Sequence, residues 1–502
     1  MKDKKLIKNI MITLLQQVIA IICGFIIPKE IIQTYGSNTN GLINSITQFL
    51  TYIVIVEAGV GAVVKSLLYK PIAEKNKSDI EKILKSAQKF FRTIALIFCV
   101  YIIILCIIYP KIVSNDFSVI FTRILIVIIA ISSFVEYFTG MIYTLYLQSN
   151  QQKYVVSIIQ TVSLICNTIV TLLLIKSGCS IIIIQMVSSC IFVIRPIIQK
   201  IYVEKKYKLK VSKCVETYII KQKKDAFAHQ LANVIHNSVD VFLITLVMGT
   251  LQVSVYMVYR LVLQGIKQFV KTIMSGVDDF FGNIFAKEKY DEMNKMFKIY
   301  EFIYFTIITI LYNLCLVLIV PFVSIYTKGI ADTNYHQPIF AIILTLSEFI
   351  WAIRYLANQL INAVGHFKQT KKMALIEAGV NLIISIILIY KLGLLGVAIG
   401  TLIAMLIRGI YMIYYFSKTV LKRSVKIELK FFAIIVVETI IITAIGINVT
   451  IKMSLSNYFD WAVFAGIYGI IIAVFVFGFN IILNKELFQE TLKLAKSVFK
   501  KS

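Results

Sequence analysis

Residues 70–85, KPIAEKNKSDIEKILK, form a charged segment between two long apolar stretches, and a similar segment, FAKEKYDEMNKMFK, follows at 285–298. The pattern predicts a cytoplasmic amphipathic helix in each place. In the first copy, Ile80 and Ile83 would rest on the lipid headgroups while the lysines meet lipid phosphates. A segment that recurs at so long an interval indicates that the fold is built from two related halves.

The composition of the chain is typical of a membrane protein. Of its 502 residues, 59% are hydrophobic and 16% are charged, whereas soluble domains are about half apolar and about a quarter charged. Fourteen apolar runs match or exceed, to within a residue, the length of about 20 residues that a helix needs to cross a bilayer. They lie near 8–30, 41–69, 90–109, 119–147, 154–175, 180–202, 226–249, 251–275, 299–326, 337–362, 373–391, 394–416, 431–451 and 459–482. We therefore predict an all-α integral membrane protein with about 14 transmembrane helices.

The internal repeat extends beyond the charged segments. The shift of the chain that brings Ala73 onto Ala286 also brings Gly36 onto Gly249. Each repeat holds six spans, an even number, so both repeats enter and leave the membrane on the same side and are parallel. The predicted domains are an N-terminal six-helix bundle at 1–210, a C-terminal six-helix bundle at 211–418, and transmembrane helices 13 and 14 with a cytoplasmic tail at 419–502.

Lysine and arginine are distributed unevenly among the connections between the spans. Alternate connections, such as 70–92, 203–224 and 417–430, are rich in basic residues, and the others carry few. By the positive-inside rule the basic set faces the cytoplasm, and so do both termini. The formal net charge of +26 then reflects this topology and attraction to anionic lipids. Because the charge is spread over many short loops, no nucleic-acid partner is predicted.

Polar side chains occur inside two neighbouring spans at helical spacing. They are His229, Asn233, His236 and Asp240 in the seventh span, and Arg260, Gln264, Lys267 and Lys271 in the eighth. The spacing places each set on one face of its helix. A charged side chain that faced lipid at the bilayer centre would cost about 2.5–3.5 kcal/mol. Both faces must therefore contact protein or water.

Two interpretations of these faces remain open. In the first, antiparallel packing places Asp240 beside Arg260 as a structural ion pair, and the two lysines extend toward the cytoplasmic headgroups. In the second, the faces line a central cavity whose cations outnumber its acid, which suits a large anionic substrate because arginine binds phosphate in a bidentate manner. The second interpretation assigns substrate binding to Arg260, Lys267, Lys271, Gln264 and Asn233. It assigns H⁺ or Na⁺ coupling to Asp240, His236 and His229.

The second span contains an acidic residue and two glycines within an apolar run, VEAGVGAVV. Gly59 and Gly61 permit a close helix approach or a bend. Together with Glu57 they are assigned to gating or packing.

These patterns resemble those of the Wzx-like polysaccharide flippases of the multidrug/oligosaccharidyl-lipid/polysaccharide exporter superfamily. Such flippases characteristically have an E-x-G-[IV]-G stretch in the second span, here at 57–61, and often an Asn-Ser-x-Asp in the seventh, here at 237–240. The resemblance covers nearly all of the chain. It implies transport of an undecaprenyl-pyrophosphate-linked oligosaccharide from the inner to the outer leaflet of the bacterial cytoplasmic membrane, for capsule, exopolysaccharide or wall-glycan synthesis. Polysaccharide polymerase and glycosyltransferases are the implied protein partners.

Other function classes are weighed on the same residues. A cation-coupled drug antiporter of the sister branch typically has an acidic residue in the first span, where TLLQQVIAIICGF has none. A membrane glycosyltransferase or polymerase would need catalytic acids on a substantial external loop, and the predicted external loops are short. The sequence has no nucleophile constellation, nucleotide loop or metal cluster, so we predict no enzyme activity, no metal site and no cofactor.

Overall fold

The structure is a computed structural model that describes residues 2–57, 59–113, 116–209, 238–274, 281, 290–364, 366–453 and 455–499. Every regular element in these ranges is a helix. In chain order the helices are α1 Lys2–Thr51, α2 Val54–Glu57, α3 Val60–Ala73, α4 Lys77–Ile112, α5 Val119–Val135, α6 Met141–Ser149, α7 Lys153–Lys176, α8 Ile181–Tyr207, α9 Ser238–Met248, α10 Thr250–Ile273, α11 Tyr290–Tyr326, α12 Pro338–Ala363, α13 Phe367–Leu392, α14 Leu394–Tyr415, α15 Lys426–Lys452, α16 Tyr458–Leu483 and α17 Lys485–Phe499. A π-helix, Glu136–Gly140, joins α5 to α6, and another, Phe416–Val420, follows α14.

Eleven of the described helices are long and apolar enough to cross a membrane. The predicted seventh span is represented by the shorter apolar helix α9, since residues 210–237 lie outside the described ranges. The predicted eighth span is α10, which has 24 residues and carries the polar stripe within them. The prediction of an all-α integral membrane protein is confirmed.

The charged segment 70–85 is a turn between two helices rather than one surface helix. α3 ends and α4 begins within it, and the Asn76 side chain caps α4 by accepting a hydrogen bond from the Asp79 amide at 3.2 Å. Ile80 and Ile83 are 4% and 3% exposed and belong to a hydrophobic core. The prediction that they rest on lipid headgroups is therefore wrong, because α4 continues into the third span and carries its first apolar residues against neighbouring helices.

Two glycines interrupt the first two spans. Gly36 breaks α1 with φ 83°, and Gly59 precedes α3 with φ 78°. These left-handed conformations are accessible to glycine without the steric penalty that a Cβ brings. Because α1 ends at Thr51 and the short α2 follows, the predicted second span at 41–69 is divided into three helical pieces.

The repeat is also visible in the backbone at helix ends. Residues with positive φ recur at nearly the same interval along the chain, with closely matching values in two of the three pairs. The pairs are Gly36 (83°) and Gly249 (82°), Gly178 (70°) and Gly393 (57°), and Lys208 (53°) and Lys422 (52°). Corresponding positions of the two predicted repeats therefore share a left-handed backbone conformation, and the arrangement of the repeats as parallel six-helix bundles stays a prediction.

The described chain divides into two compact units. The first runs to Met257 and includes Ile330–Thr333, and the second comprises Val258–Gly329 and the residues from Asn334 onward. The first has a core of aromatic and aliphatic side chains from α1 and α3–α8, and the second has a core from α10–α12, α14 and α15. The predicted domain boundary at 210/211 borders the undescribed residues 210–237 and stays a prediction.

Candidate functional site

The polar stripe predicted on the eighth span lies on α10. Arg260, Gln264, Lys267 and Lys271 all belong to the part of α10 in the second unit. Lys267 is 9% exposed, Arg260 is half-buried, and Gln264 and Lys271 are exposed. The residues of the stripe therefore differ in solvent exposure, with one buried ammonium group among more accessible polar groups.

Lys267 forms an ion pair with Glu348, which lies on α12. Its Nζ lies 2.9 Å from Oε2 of Glu348 and 3.2 Å from Oε1 of the same residue, on α12. The two side chains are 11% and 19% exposed. At such burial the pair is poorly screened by solvent, so the attraction between the two groups is stronger than it would be at an exposed site.

Trp351 lies one helical turn after Glu348 and contacts both lysines of the stripe. Its ring centroid is 4.4 Å from Nζ of Lys267 and 5.8 Å from Nζ of Lys271. The ring also stacks on Tyr355, with centroids 4.6 Å apart. Cations over an indole face are attracted by the ring quadrupole. The acid, the indole and two ammonium groups thus form one cluster, which we name the Lys267 cluster (Lys267, Lys271, Glu348 and Trp351).

A second group of charges on α12–α14 has a structural role. Nη2 of Arg354 lies 2.9 Å from Oε1 of Glu377, whose other oxygen contacts Nη1 of Arg408. Glu377 is 2% exposed. One carboxylate between two guanidinium groups ties three helices together.

Asp240, the acid of the seventh span, is described on α9 and is 3% exposed. Its Oδ2 accepts a hydrogen bond from the Tyr256 hydroxyl at 2.8 Å. The residues predicted beside it on the same stripe are His229, Asn233 and His236, and these lie outside the described residues. Their predicted roles therefore stay predictions.

Glu57 and its glycines lie where the second span is broken. The Tyr137 hydroxyl, in the π-helix, points to Oε2 of Glu57 at 3.5 Å. A Cβ added at Gly61 would lie 3.3 Å from Oε1 of Glu57 and 3.5 Å from Leu145. Gly59 provides the bend through its positive φ. The chain therefore bends at Gly59, and the gating or packing role of Glu57, Gly59 and Gly61 stays a prediction.

Sequence reasoning missed the partners of the predicted site residues. Glu348 and Trp351 are three residues apart, which places them on one face of a helix, and an acid beside an aromatic ring inside an apolar span was a usable signal. The hydroxyl of Tyr256 could not be assigned to Asp240, since the sequence contains many intramembrane tyrosines. Among the described residues no group of His, Cys, Asp and Glu could hold a metal ion.

Comparison with known proteins shows which solved structures have a similar fold. No protein-family model matches the chain, and no curated protein is significantly similar to it. The structure of the lipid II flippase MurJ in an inward closed conformation is similar, with a TM-score of 0.66 and 17% identity over 95% of this chain and 100% of that one. An inward-facing multidrug resistance MATE family transporter of the MOP superfamily is also similar, with a TM-score of 0.60 and 13% identity over 83% of this chain and 98% of that one.

A third similar structure is a MOP superfamily transporter from Pyrococcus furiosus, described as having a binding pocket of reverse polarity, with a TM-score of 0.50 and 12% identity over 84% of this chain and 97% of that one. The similar proteins are transporters and flippases. Together with the eleven apolar helices, these likenesses show that the chain is a multi-pass membrane protein with the fold of the MOP superfamily transporters.

Proposed function

We propose that this chain is a flippase that moves an undecaprenyl-pyrophosphate-linked oligosaccharide from the inner to the outer leaflet of the bacterial cytoplasmic membrane. Its product would serve the synthesis of capsule, exopolysaccharide or wall glycan. The observation that carries the proposal is the cationic stripe of α10, in which Arg260, Lys267 and Lys271 lie on one helical face with Glu348 as the acid on the facing helix.

The stripe suits a pyrophosphate. Ammonium groups bind phosphate as point charges, and guanidinium adds bidentate geometry. Lys267 and Lys271, with Nζ atoms 4.4 Å and 5.8 Å from the Trp351 ring centroid, present two positive charges near one ring. In this proposal Arg260, Gln264, Lys267, Lys271 and Asn233 bind the pyrophosphate and acidic sugars.

Glu348 has a defined part in this proposal. It occupies Lys267 at 2.9 Å, so an incoming phosphate must compete with an internal carboxylate for the same ammonium group. A pyrophosphate diester carries two negative charges, one on each phosphoryl group, and so competes better than a singly charged or neutral molecule. Glu348 would therefore favour substrates with dense negative charge without being required for their export.

Transport would proceed by alternating access of the two six-helix repeats. A site that bound its substrate equally well in both states would shift nothing, so direction must come from an ion gradient or from consumption of the product outside. Asp240, His236 and His229 are the candidates for H⁺ or Na⁺ coupling. Glu57, Gly59 and Gly61 would permit the second span to bend between states. Both termini would lie in the cytoplasm, and the protein would work beside polymerase and glycosyltransferases.

A cation-coupled antiporter of organic cations is the second candidate. It is favoured by the Glu348 carboxylate and the Trp351 ring, since acids and aromatic faces also bind organic cations. In the structure, however, Lys267 occupies both groups. An organic cation would have to displace a tethered ammonium group from them.

Three variants separate substrate binding from structural pairing. We expect Lys267→Met to reduce polymer at the cell surface by about tenfold or more, which corresponds to the loss of one charge-assisted hydrogen bond of about 1.5–3 kcal/mol. Glu348→Gln relieves Lys267 of its competitor and should retain export. The double variant Lys267→Met with Glu348→Gln leaves neither charge buried alone, yet it should remain defective.

The measurement compares surface polymer with the amount of protein in the membrane for each variant, in cells that depend on this chain for export. Full recovery of export in the double variant would show that Lys267 and Glu348 form only a structural pair. Normal export by Lys267→Met alone would remove the stripe from the substrate path.

A further inference from the structure

A third charged cluster joins the second repeat to the two C-terminal spans. Arg423 lies in the turn between the π-helix Phe416–Val420 and α15. Its Nη2 is 2.5 Å from Oε2 of Glu301 on α11 and 2.5 Å from Oε1 of Glu428 on α15. Its Nε also donates to Oε1 of Glu428 at 2.9 Å. One guanidinium group therefore holds two carboxyl groups from different helices.

This cluster is buried in apolar surroundings. Glu301 is 1% exposed and Glu428 is 5% exposed, and the Arg423 side chain is 7% exposed. A small cavity beside the two acids is otherwise lined by apolar side chains of α11, α12, α14, α15 and the π-helix. The rings of Phe297 and Phe416 lie 5.5 Å and 6.0 Å from the guanidinium carbon. Water can contribute little to stabilising a net charge there.

The charges of the cluster do not balance if both acids are ionised. One guanidinium group neutralises one carboxylate, and a second buried carboxylate would leave a net negative charge at high cost. The two carboxyl oxygens also approach the same nitrogen, so they lie within reach of one another. Two carboxyl groups in such contact share a proton and titrate as a pair.

Among the described residues, Arg423 is the cation that acts on Glu301. The charged groups that act on Glu301 are Arg423 and Glu428, and Ser417 of the π-helix donates its hydroxyl to Oε1 of Glu428 at 3.1 Å. Burial opposes the charge on Arg423, but Glu301 and Glu428 outweigh that effect and raise the pKa of the guanidinium group. Arg423 therefore stays charged, and the remaining balance must come from a proton.

We propose that Glu301 and Glu428 together form a proton-binding site that holds one exchangeable proton at the junction of α11, the turn 421–425 and α15. When the proton leaves, the two carboxylates repel each other across Arg423, and the contact between α11 and α15 weakens. Proton occupancy would thereby set how firmly α15 is attached to α11. This site is separate from Asp240 and does not depend on the substrate assigned above.

Infrared spectroscopy of the full-length protein in lipid nanodiscs tests the proposal, because a protonated carboxyl group has a C=O stretch that a carboxylate lacks. We expect the difference spectra of wild type minus Glu301→Gln and wild type minus Glu428→Gln each to contain one protonated-carboxyl band. In either variant the remaining acid is balanced by Arg423 and gives no such band. The wild-type band should fade as the pH rises and the shared proton leaves.

Two control variants identify unrelated signals. Glu348→Gln removes an acid that is paired with Lys267 and should not change this band. Glu438→Gln identifies any separate signal from Glu438, whose carboxyl group accepts a hydrogen bond from Asn480 at 2.8 Å. A difference spectrum for Glu301→Gln or Glu428→Gln that contains only carboxylate bands at every pH would overturn the proposal.

The pH dependence of thermal unfolding gives a second readout. A folded protein that keeps a proton which the unfolded chain releases becomes less stable as pH rises. The unfolding temperature of the wild type should therefore fall as the pH rises and the band disappears, and Glu428→Gln should flatten that dependence. An unchanged slope in Glu428→Gln would contradict the proposal even if Glu301→Gln did not fold.

Discussion

The contact of α1 with α7 in the first unit and the contact of α12 with α13 and α14 in the second are made by different chemistry. In the first unit, neutral side chains connect α1 to α7: Gln16 donates to Gln160 at 2.6 Å, and Thr13 lies 3.4 Å from Ser157. In the second unit, charged side chains connect α12, α13 and α14 through Glu377 and its two arginines. Both arrangements satisfy polar groups inside apolar spans, but they differ in what happens when one member is lost.

The difference follows from desolvation. A neutral hydrogen bond in a protein contributes about 1 kcal/mol net, and replacing both partners by apolar groups can be nearly neutral. A buried charge that loses its partner is left uncompensated, which costs about 3–5 kcal/mol. The second unit therefore contains fixed charges that hold helices firmly and create local fields. The neutral contacts of the first unit fix α1 against α7 without such fields.

The largest effect is expected at the centre of the charged network. Glu377→Gln leaves the Arg354 and Arg408 guanidinium groups buried without a carboxylate, so we expect a loss of about 3–5 kcal/mol in stability. Thermal unfolding of the purified protein and its amount in the membrane measure this loss. Wild-type stability in Glu377→Gln would mean that the network does not hold α12–α14 together.

An intermediate effect is expected where a neutral donor meets an acid. Tyr256→Phe removes the hydroxyl that donates to Asp240 at 2.8 Å, and hydrogen bonds to charged groups contribute about 1.5–3 kcal/mol. The matched control is Tyr256→Phe with Asp240→Asn, in which the acid is no longer charged and most of the loss should disappear. An equal loss in the single and double variants would show that Tyr256 acts through packing alone.

The smallest effect is expected in the neutral contacts of the first unit. Gln16→Leu leaves the Gln160 side chain without its donor and should cost about 1 kcal/mol, while Gln16→Leu with Gln160→Leu should be close to wild type. The unfolding temperatures of the single and double variants measure both stability changes. A loss in the double variant as large as that of Glu377→Gln would remove the distinction between the two units.

The sequence predicted the spans well because each depends on a local property, the length of an apolar run. It also indicated the bend at Gly59 and the equivalence of Gly36 and Gly249, since glycine marks backbone conformations that other residues avoid. Partners such as Glu348 for Lys267, or Tyr256 for Asp240, depend on which helices are neighbours and on their rotation. Neither property is encoded within one span, so the contacts of the candidate site had to come from the structure.

The burial of Ile80 and Ile83 was mispredicted for a related reason. The amphipathic pattern of the segment 70–85 is the same whether its apolar face meets lipid headgroups or protein. Only the continuation of α4 into a span decides in favour of protein, because it brings that face against α3 and the helices beyond it.

Translocation by the purified protein in proteoliposomes tests the central claim most directly. The substrate is an undecaprenyl-pyrophosphate-linked oligosaccharide, and its arrival in the outer leaflet is detected by an impermeant enzyme that cleaves the exposed sugar. We predict translocation that requires the protein, is lost in Lys267→Met and persists in Glu348→Gln. Failure of the active, folded protein to move this lipid, together with ion-driven uptake of an organic cation by the same preparation, would contradict the flippase assignment in favour of the antiporter.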